Sequence, residues 1–341
     1  MRNVWSVTGT VAIVCASVTG CTVPRQDQRD GTAMWSNTEA SYAIPFQVGV
    51  VTDTRGLNDI GTHDDSVAGL QRSELAFDCT GGVIQSHTTA DYVPNVNAYA
   101  KQGYQLIVAD GKSLQPAVAT ISRKHPRTNF LILGAEATAS KNVAGAVFKT
   151  EEGAYALGYL AGLLEREKAL PGLRDKSGRS VVLLEDIHSP NEMREVRAFA
   201  TGLHASDAAL KARVISLPPM FGTATIEKAS LGAIQTGADI LYGPSSSETM
   251  PMIDAAKGHQ VYLMTGSRDS LKLDPKQVLG SAMPATGVAV YNTVKAVDAN
   301  EFRHTTTVYT LKNHGIDLHI SSICPLAARL QMDHLIADMS R

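Results

Sequence analysis

From about residue 45 onward, short runs of consecutive apolar residues alternate with stretches in which apolar residues recur every three or four positions. The first runs lie at 46–51, 106–108 and 130–133. A short, continuous apolar run is typical of a strand buried on both faces, and the amphipathic stretches are typical of helices that cover such a sheet. The alternation therefore predicts an α/β fold in which parallel sheets are flanked by helices.

The same alternation begins again after Gly178, with apolar runs at 181–184, 214–217, 240–242 and 261–264. Turn-forming residues between 171 and 178 separate the two series. We therefore expect an N-terminal lobe at 45–170, which includes a long helix from Glu151 to Leu164, and a C-terminal lobe at 171–341 whose final segments return across the hinge. Because ligands bind beyond the carboxyl ends of parallel strands, a cleft between the lobes is the expected site.

The first 44 residues carry a different signal. Arg2 is the only charged residue before Cys21, and the apolar stretch 11–18 is too short to span a membrane but suits a secretory signal. The sequence Val18-Thr19-Gly20-Cys21 resembles a bacterial lipobox. It predicts a signal peptide at 1–20, lipidation of Cys21, and a flexible tether at 21–44 that holds the protein at the extracytoplasmic side of the cell membrane. The alternatives are an ordinary signal peptide with a chance cysteine and a buried N-terminal strand.

The composition narrows the classes of function. The 341-residue chain has 31 basic and 33 acidic residues and a net charge of −2, which argues against a nucleic-acid partner. It is 44% hydrophobic and 19% charged, which is typical of folded domains and not of a disordered chain. Its four cysteines are too few for a disulfide scaffold. Cys79 and Cys324 either form a disulfide after export or remain two isolated buried thiols.

The sequence contains no familiar catalytic or metal-binding motif. Gly111-Lys112-Ser113 follows an apolar run, but the earlier glycine that a phosphate loop requires is Leu106. Asp59, His63 and residues 64–65 form the densest metal-like cluster, for which a polar loop that caps a helix is the favoured interpretation. We expect a protein that is not an enzyme and that has neither a metal nor a cofactor.

Several segments resemble a known family in their order and spacing. The stretch 50–59 is similar to the opening strand and loop of the basic membrane protein family, to which nucleoside-binding lipoproteins of ABC transporters belong. The stretch 148–163 resembles the family's crossover helix, and 237–242 and 288–291 match later segments. The resemblance covers about residues 46–340. It implies a two-lobed fold like that of the type I periplasmic binding proteins, capture of a small ligand between the lobes, and an ABC permease as partner.

The resemblance also implies a set of ligand-binding residues, which this chain retains only in part. Asp53 and Phe221 match the family, whereas Thr62 and His63 stand where it carries Phe and Asn. Ser267 replaces an aspartate, and Pro284 replaces a lysine. The nucleoside site therefore looks altered or lost. The expected ligand-binding residues, with neighbours of the matching positions, are Asp53, Arg55, Thr62, His63, Phe221, Ser267, Arg268 and Asp269.

Three functional hypotheses follow. The first is a lipid-anchored solute-binding protein that captures a nucleoside-like or other small polar ligand for an ABC permease. Arg55, His63 and Arg268 make an anionic ligand one version of this hypothesis, and separate solvated side chains are the alternative. The second is an envelope sensor or interaction lipoprotein with a degenerate cleft. The third is an exported enzyme on the same scaffold.

Overall fold

The structure is a computed structural model that describes residues 45–173, 180–218 and 221–340. The predicted signal peptide, the tether and Cys21 lie outside these residues. None of the helices in the described ranges is long and apolar enough to cross a membrane.

The first part of the chain alternates between strands and helices as the apolar pattern predicts. The elements are β1 (Phe46–Thr52), α1 (Thr62–Ala76), β2 (Cys79–Gln85), α2 (Tyr92–Lys101), β3 (Leu106–Asp110), α3 (Gln115–Ile121), β4 (Asn129–Leu133) and β5 (Val143–Phe148). All five residues of β3 are buried, which is why this strand is apolar on both faces.

The second part repeats this alternation. It comprises α4 (Thr150–Glu167), β6 (Val181–Asp186), α5 (Pro190–Ser206), β7 (Arg213–Leu217), α6 (Thr223–Gln235), β8 (Ile240–Gly243), α7 (Ser246–Ala256), β9 (Tyr262–Thr265), the single turn α8 (Ser270–Leu273) and β10 (Val278–Pro284). The last elements are α9 (Thr286–Asp298), β11 (Thr306–Tyr309), β12 (Ile316–Ile320) and α10 (Leu326–Met339).

The described strands form two six-stranded sheets, one in each lobe. The first has the order β11-β5-β4-β3-β1-β2, and the second has the order β12-β10-β9-β8-β6-β7. Every pairing of these strands is parallel except that of β10 with β12. The chain passes between the sheets three times, after β5, after β10 and after β11. The predicted α/β fold with two lobes is confirmed. Strands β11 and β12 belong to different sheets.

Helix α4 packs with the second lobe. Gly158 of α4 and Gly202 of α5 let the two helices approach so closely that a Cβ atom at either position would collide with backbone atoms of the other helix. Leu157, Leu160 and Leu164 belong to the same apolar core as β6 and β8. The chain therefore changes sheet near residue 149, about twenty residues before the division that the sequence suggests.

The two cysteines of the described chain are free thiols buried in different lobes. Cys79 packs in the core beneath β1 and β3, and Cys324 packs in the core around α4. Burial raises the pKa of both thiols to about 11, so they are inert apolar groups in this structure. The alternative of two isolated thiols is the arrangement observed.

Candidate functional site

The carboxyl ends of the parallel strands in the two sheets face each other across a cleft. The cleft contains a larger cavity of about 730 Å³ and a smaller one of about 170 Å³. The two cavities adjoin, because they share the lining residues Lys112, Gly134, Phe148, Asn191 and Pro284. Residues of both lobes and of two hinge crossings line them, which is the geometry of a site that opens and closes with the hinge.

The first-lobe side of the cleft begins at the end of β1 with Asp53. The guanidinium group of Arg55 forms an ion pair with this carboxylate, with Nη2 at 3.0 Å from Oδ2 and Nε at 3.2 Å from Oδ1. Burial alone would raise the pKa of Asp53, but hydrogen bonds from His63 and Arg55 outweigh it and hold the pKa well below its usual range. The Arg55 side chain lines the smaller cavity and is 59% exposed, so the pair lies at the cavity wall.

His63 lies behind this pair and is completely buried. Its Nδ1 is 3.1 Å from Oδ2 of Asp59, and its Nε2 is 3.3 Å from Oδ1 of Asp53 and 3.2 Å from the carbonyl oxygen of Asp110. Burial lowers the pKa of His63, but the hydrogen bonds to Asp53 and Asp59 raise it to about 10. The ring is therefore a buried imidazolium that donates from both nitrogens. We call Asp53, Arg55, Asp59, His63 and Asp110 the first-lobe wall.

The carboxyl group of Asp110 completes this wall. It is fully buried and accepts a hydrogen bond from the hydroxyl group of Ser66. Burial raises its pKa to about 6, against the opposing effect of His63. Each carboxylate of the first-lobe wall thus has a hydrogen-bond donor from the same chain.

The loop before α1 is held by its own aspartates. Asp59 accepts from the amide of Gly61 at 2.9 Å, and Asp64 accepts from the amides of Asn58 and Ile60 at 2.8 and 2.9 Å. Asn58 and Ile60 have positive φ angles of 63° and 46°, a backbone shape that these hydrogen bonds stabilise. No three His, Cys, Asp or Glu side chains in the described ranges converge as they would around a metal ion. This metal-like cluster is a polar loop that leads into a helix.

Arg268 joins the two lobes. Its guanidinium group pairs with Asp65 of α1, and its amide donates to the carbonyl oxygen of Ile60 at 3.0 Å. Asp65 also accepts from the amide of Gly287 at 2.7 Å and from Thr286, at the start of α9. Arg268 lines a separate cavity of about 740 Å³ beside the hinge and not the cleft cavities. It acts as a contact between the lobes.

The other residues predicted in the second lobe lie away from the cleft cavities. Ser267 is completely buried, and its hydroxyl oxygen is 2.6 Å from that of Thr249. Asp269 pairs with Lys272, and Phe221 packs against the core beneath α6 and α7. The structure therefore brings Asp53, Arg55, Thr62 and His63 together at one wall of the cleft. It shows no contact of Phe221 or Ser267 with them within the described ranges.

A second group of carboxylates, which the sequence did not single out, lies on the opposite side. Glu195 of α5 lines the larger cavity and accepts a hydrogen bond from Thr150 at 2.6 Å. Glu192 lies one turn earlier in α5, and Glu248 lies in the first turn of α7, where its Oε2 accepts from the amide of Ser245 at 3.0 Å. We call Glu192, Glu195 and Glu248 the second-lobe acidic cluster.

Burial and nearby negative charge perturb all three carboxyl groups: Asp186 acts on Glu192, and Glu192 acts on Glu195 and Glu248. Burial is the main cause, and repulsion by the neighbouring carboxylates adds to it. Together they raise the pKa of Glu192 to about 7, that of Glu195 to about 8, and that of Glu248 well above its ordinary value. The Oε2 atom of Glu192 and the Oε1 atom of Glu248 are buried and accept no hydrogen bond from residues 45–173, 180–218 or 221–340. None of the three pairs with a lysine or arginine from the described ranges.

Several cleft residues could have been found from their position alone. Lys112 follows β3, Phe148 is the last residue of β5, and Asn191 lies in the first turn of α5 after β6, at the edge where ligands bind in parallel sheets. The acidic cluster had no such signal, because glutamates on a helix are ordinarily solvated. The burial of these glutamates depends on how the second lobe packs around α5 and α7.

The chain resembles known proteins over most of its length. The family model described as ABC transporter substrate-binding protein PnrA-like matches residues 46–329. The "ABC transporter nucleoside-binding protein BmpA" of Lactococcus lactis subsp. cremoris is 26% identical over 337 residues, 91% of this chain and 90% of that protein. The "CD4+ T-cell-stimulating antigen" of Listeria monocytogenes is 33% identical over 123 residues, 35% of this chain and 34% of that protein.

Solved structures share the fold. A solute-binding protein of an ABC transporter system from Aeropyrum pernix has a TM-score of 0.71 and 18% identity, over 87% of this chain and 90% of its own. A "Transcriptional Activator of comK gene" from Bacillus halodurans has a TM-score of 0.73 and 16% identity, over 86% of this chain and 98% of its own. Because the family model spans most of the chain, this protein belongs to the Bmp family of PnrA-like ABC transporter substrate-binding proteins.

Proposed function

We propose that this protein captures a small polar ligand, nucleoside-like or a replacement for a nucleoside, in the cleft between its lobes and delivers it to an ABC permease. The cleft carries the proposal, because residues of both lobes line cavities of about 730 and 170 Å³. No catalytic step is part of this function. Family membership supports the same role, and the named relative from Lactococcus lactis is a nucleoside-binding protein.

Capture uses the hinge. A ligand that contacts both walls binds the closed arrangement better than the open one, so it shifts the population toward closure. The closed arrangement already has contacts of its own, from Arg268 to Asp65 and to the carbonyl oxygen of Ile60. These contacts set the closure equilibrium on which the ligand acts, and the permease then recognises the closed form.

The walls disfavour an ordinary purine nucleoside. Thr62 lines the smaller cavity where an aromatic ring would stack on a base, and a threonine offers no aromatic face. Asp53 already binds Arg55 and His63, which leaves it less able to accept from ribose hydroxyl groups. Phe148 lines both cavities, but its ring stacks on Tyr309 with centroids 5.2 Å apart. We expect purine nucleosides to bind more weakly here than in relatives that keep the Phe-Asn and Asp/Lys pairs.

The three cations that suggest an anionic ligand are already paired. Arg55 binds Asp53, His63 lies between Asp53 and Asp59, and Arg268 binds Asp65. Their charges are therefore largely neutralised before any ligand arrives. This pairing argues against an anionic ligand.

The proposal includes the membrane anchor. Cys21 receives lipid after removal of residues 1–20, and the folded lobes then lie on the extracytoplasmic side. The motif Val18-Thr19-Gly20-Cys21 supports this step. A Cys21→Ala protein should lose lipid labelling and move to the aqueous phase of a detergent extraction. Unchanged partitioning would contradict the anchor without affecting ligand capture.

A melting-temperature screen tests the function on the delipidated protein. The probes are nucleosides, free bases, sugars, small anions and small amines, because any ligand that binds only the native state raises its stability. A ligand that raises the melting temperature should also compact the protein in X-ray scattering, as lobe closure requires. If no probe does either, the chain functions as an envelope sensor or interaction protein. The open volume of the larger cavity favours capture.

A further inference from the structure

We propose, on the basis of the function above, that the second-lobe acidic cluster binds an amino, amidino or guanidino group, so that the captured ligand is an organic amine. Glu195 lines a ligand-sized cavity, and the buried carboxyl groups of Glu192 and Glu248 lie close enough to influence it or be influenced by it. None of the three has a cationic partner from the described chain, and this juxtaposition carries the proposal.

The first turns of α5 carry two members of the cluster and also line the larger cavity. Helix α5 begins at Pro190, with Ser189 as its N-cap, and residues 189–191 and 194–195 all line the larger cavity. Glu195 presents its carboxylate there, with one hydrogen bond from Thr150 to Oε1. Glu192 lies on the same turn and close enough to Glu195 and Glu248 to raise the pKa of both.

The cluster lacks partners that buried carboxylates require. Glu248 is completely buried, yet its Oε1 accepts no hydrogen bond from the part of the chain that the structure describes, and the same is true of the buried Oε2 of Glu192. Buried polar atoms in native proteins are nearly always paired, because an unpaired one loses its hydration without compensation. An N–H group from a ligand that reaches between these carboxylates supplies the missing donors.

The charged groups around the cluster do not meet this need. Asp186 at the end of β6 and Glu151 in α4 add negative charge. Arg194 donates to Asn191, and Arg55 of the opposite wall influences Glu192 but is bound to Asp53. The described chain therefore supplies no cation to the cluster, which holds protons until a ligand cation displaces them.

The spacing of the carboxyl groups favours an organic cation over a metal ion. A metal ion needs several ligands within one coordination sphere, and no three suitable side chains of the described chain converge in that way. An ammonium or guanidinium group carries three to five donors and bonds to separated carboxylates. Lys112 lines the first-lobe side of the larger cavity, so the positive end of the ligand lies at the second lobe and an oxygen-bearing end lies near Lys112.

Matched probe pairs that differ by one amino group test the inference. Calorimetry compares D-glucosamine with D-glucose, and 5′-amino-5′-deoxyadenosine with adenosine, on the full-length protein. At least one amine should bind about tenfold or more tightly than its neutral partner, because a charged hydrogen bond is strong in a buried site. Glu192→Gln with Glu195→Gln should abolish that difference. Glu227→Gln, which alters an exposed carboxylate of α6 that lines neither cleft cavity, should leave it unchanged.

The outcomes separate this inference from the proposed function. Equal affinities within both pairs, or a preference that survives Glu192→Gln with Glu195→Gln, overturn the inference while ligand capture stands. If neither pair binds, the tightest probe from the melting-temperature screen replaces them. If that replacement probe is neutral or anionic and binds the double variant as tightly as the unaltered protein, the inference is overturned as well. If no probe binds at all, both the inference and the proposed function fail.

Discussion

The two walls of the cleft use the same kind of side chain in opposite ways. On the first lobe, Asp53 and Asp59 are bonded to a buried imidazolium, and Arg55 adds a second cation. On the second lobe, Glu192 and Glu248 each keep a buried oxygen to which no residue of the described ranges donates. The pKa values follow this difference, since those of Asp53 and Asp59 are lowered and those of the glutamates are raised.

The difference shows where a ligand has something to contribute. A buried charge costs free energy unless it is paired, so a wall that completes its own pairing gains little from an incoming group. A wall whose buried carboxyl oxygens lack donors is stabilised when a ligand supplies them. The first-lobe wall therefore acts as a rigid support, and the second-lobe acidic cluster acts as the recognition surface.

Removing the buried cation should give the largest effect. His63→Ala leaves Asp53, Asp59 and Asp110 facing one another without the imidazolium, and breaking a buried pair in this way costs about 3–5 kcal/mol. Urea unfolding measures the loss. His204→Ala, at an exposed position of α5, should change stability by less than about 0.5 kcal/mol. A loss of under about 1 kcal/mol for His63→Ala would show that the first-lobe wall does not depend on its cation.

Next in size is the pH dependence that the acidic cluster imposes. The pKa values of Glu192 and Glu195 are raised from 4.5 to about 7 and about 8, so the folded protein holds more protons than the unfolded chain between about pH 5 and pH 8. The free energy of unfolding should therefore fall as pH rises, by up to about 1.4 kcal/mol per pH unit for each group. Glu192→Gln with Glu195→Gln should flatten this slope and stabilise the protein near pH 8.

His63 makes the free energy of unfolding depend on pH in a second, higher pH range. Its pKa is raised from 6.5 to about 10, so its stabilising effect is complete below pH 6.5 and is lost as pH rises through 10. The glutamine double variant should keep this loss, and the control Glu227→Gln should keep both slopes. Equal pH profiles for the double variant and the unaltered protein would contradict the account of the acidic cluster.

A smaller effect is expected at the contact between the lobes. Arg268→Ala removes the pair with Asp65, whose carboxylate retains Gly287 and Thr286 as donors, so the loss should be about 1–2 kcal/mol. The open population should rise in X-ray scattering, and ligand affinity should fall several-fold. Lys272→Ala removes an exposed pair in the same lobe and should do neither. Identical scattering from Arg268→Ala and the unaltered protein would exclude a role in closure.

The smallest change should come from restoring one aromatic face. Thr62→Phe, which leaves the His63 imidazolium in place, should raise affinity for inosine by less than about tenfold, because Asp53 remains bound to Arg55 and the second lobe differs as well. Calorimetry with inosine, guanosine and adenosine measures this. Submicromolar binding of any of them to the unaltered protein would mean that other residues have taken over stacking.

The sequence predicts the sheets and the local part of the site, and misses what depends on long-range packing. Continuous apolar runs such as 106–108 identify buried parallel strands, whereas β2, an edge strand with Gly81 and Gly82, has no such run. Asp53, Arg55, Thr62 and His63 lie within eleven residues, so one loop brings them together. The burial of the Glu192 and Glu248 carboxyl groups depends on how the second lobe packs around α5 and α7, and the spacing of glutamates in the sequence does not encode it.

Proton release on binding tests the central claim most directly. At pH 7 the acidic cluster holds protons that an amine would displace, because a cation beside Glu192 and Glu195 lowers their raised pKa values. Calorimetry with D-glucosamine in two buffers of different ionisation enthalpy gives the number of protons released. The account predicts about one proton released per amine bound, and none for D-glucose or for the Glu192→Gln, Glu195→Gln double variant. Tight binding of the amine without proton release would contradict it.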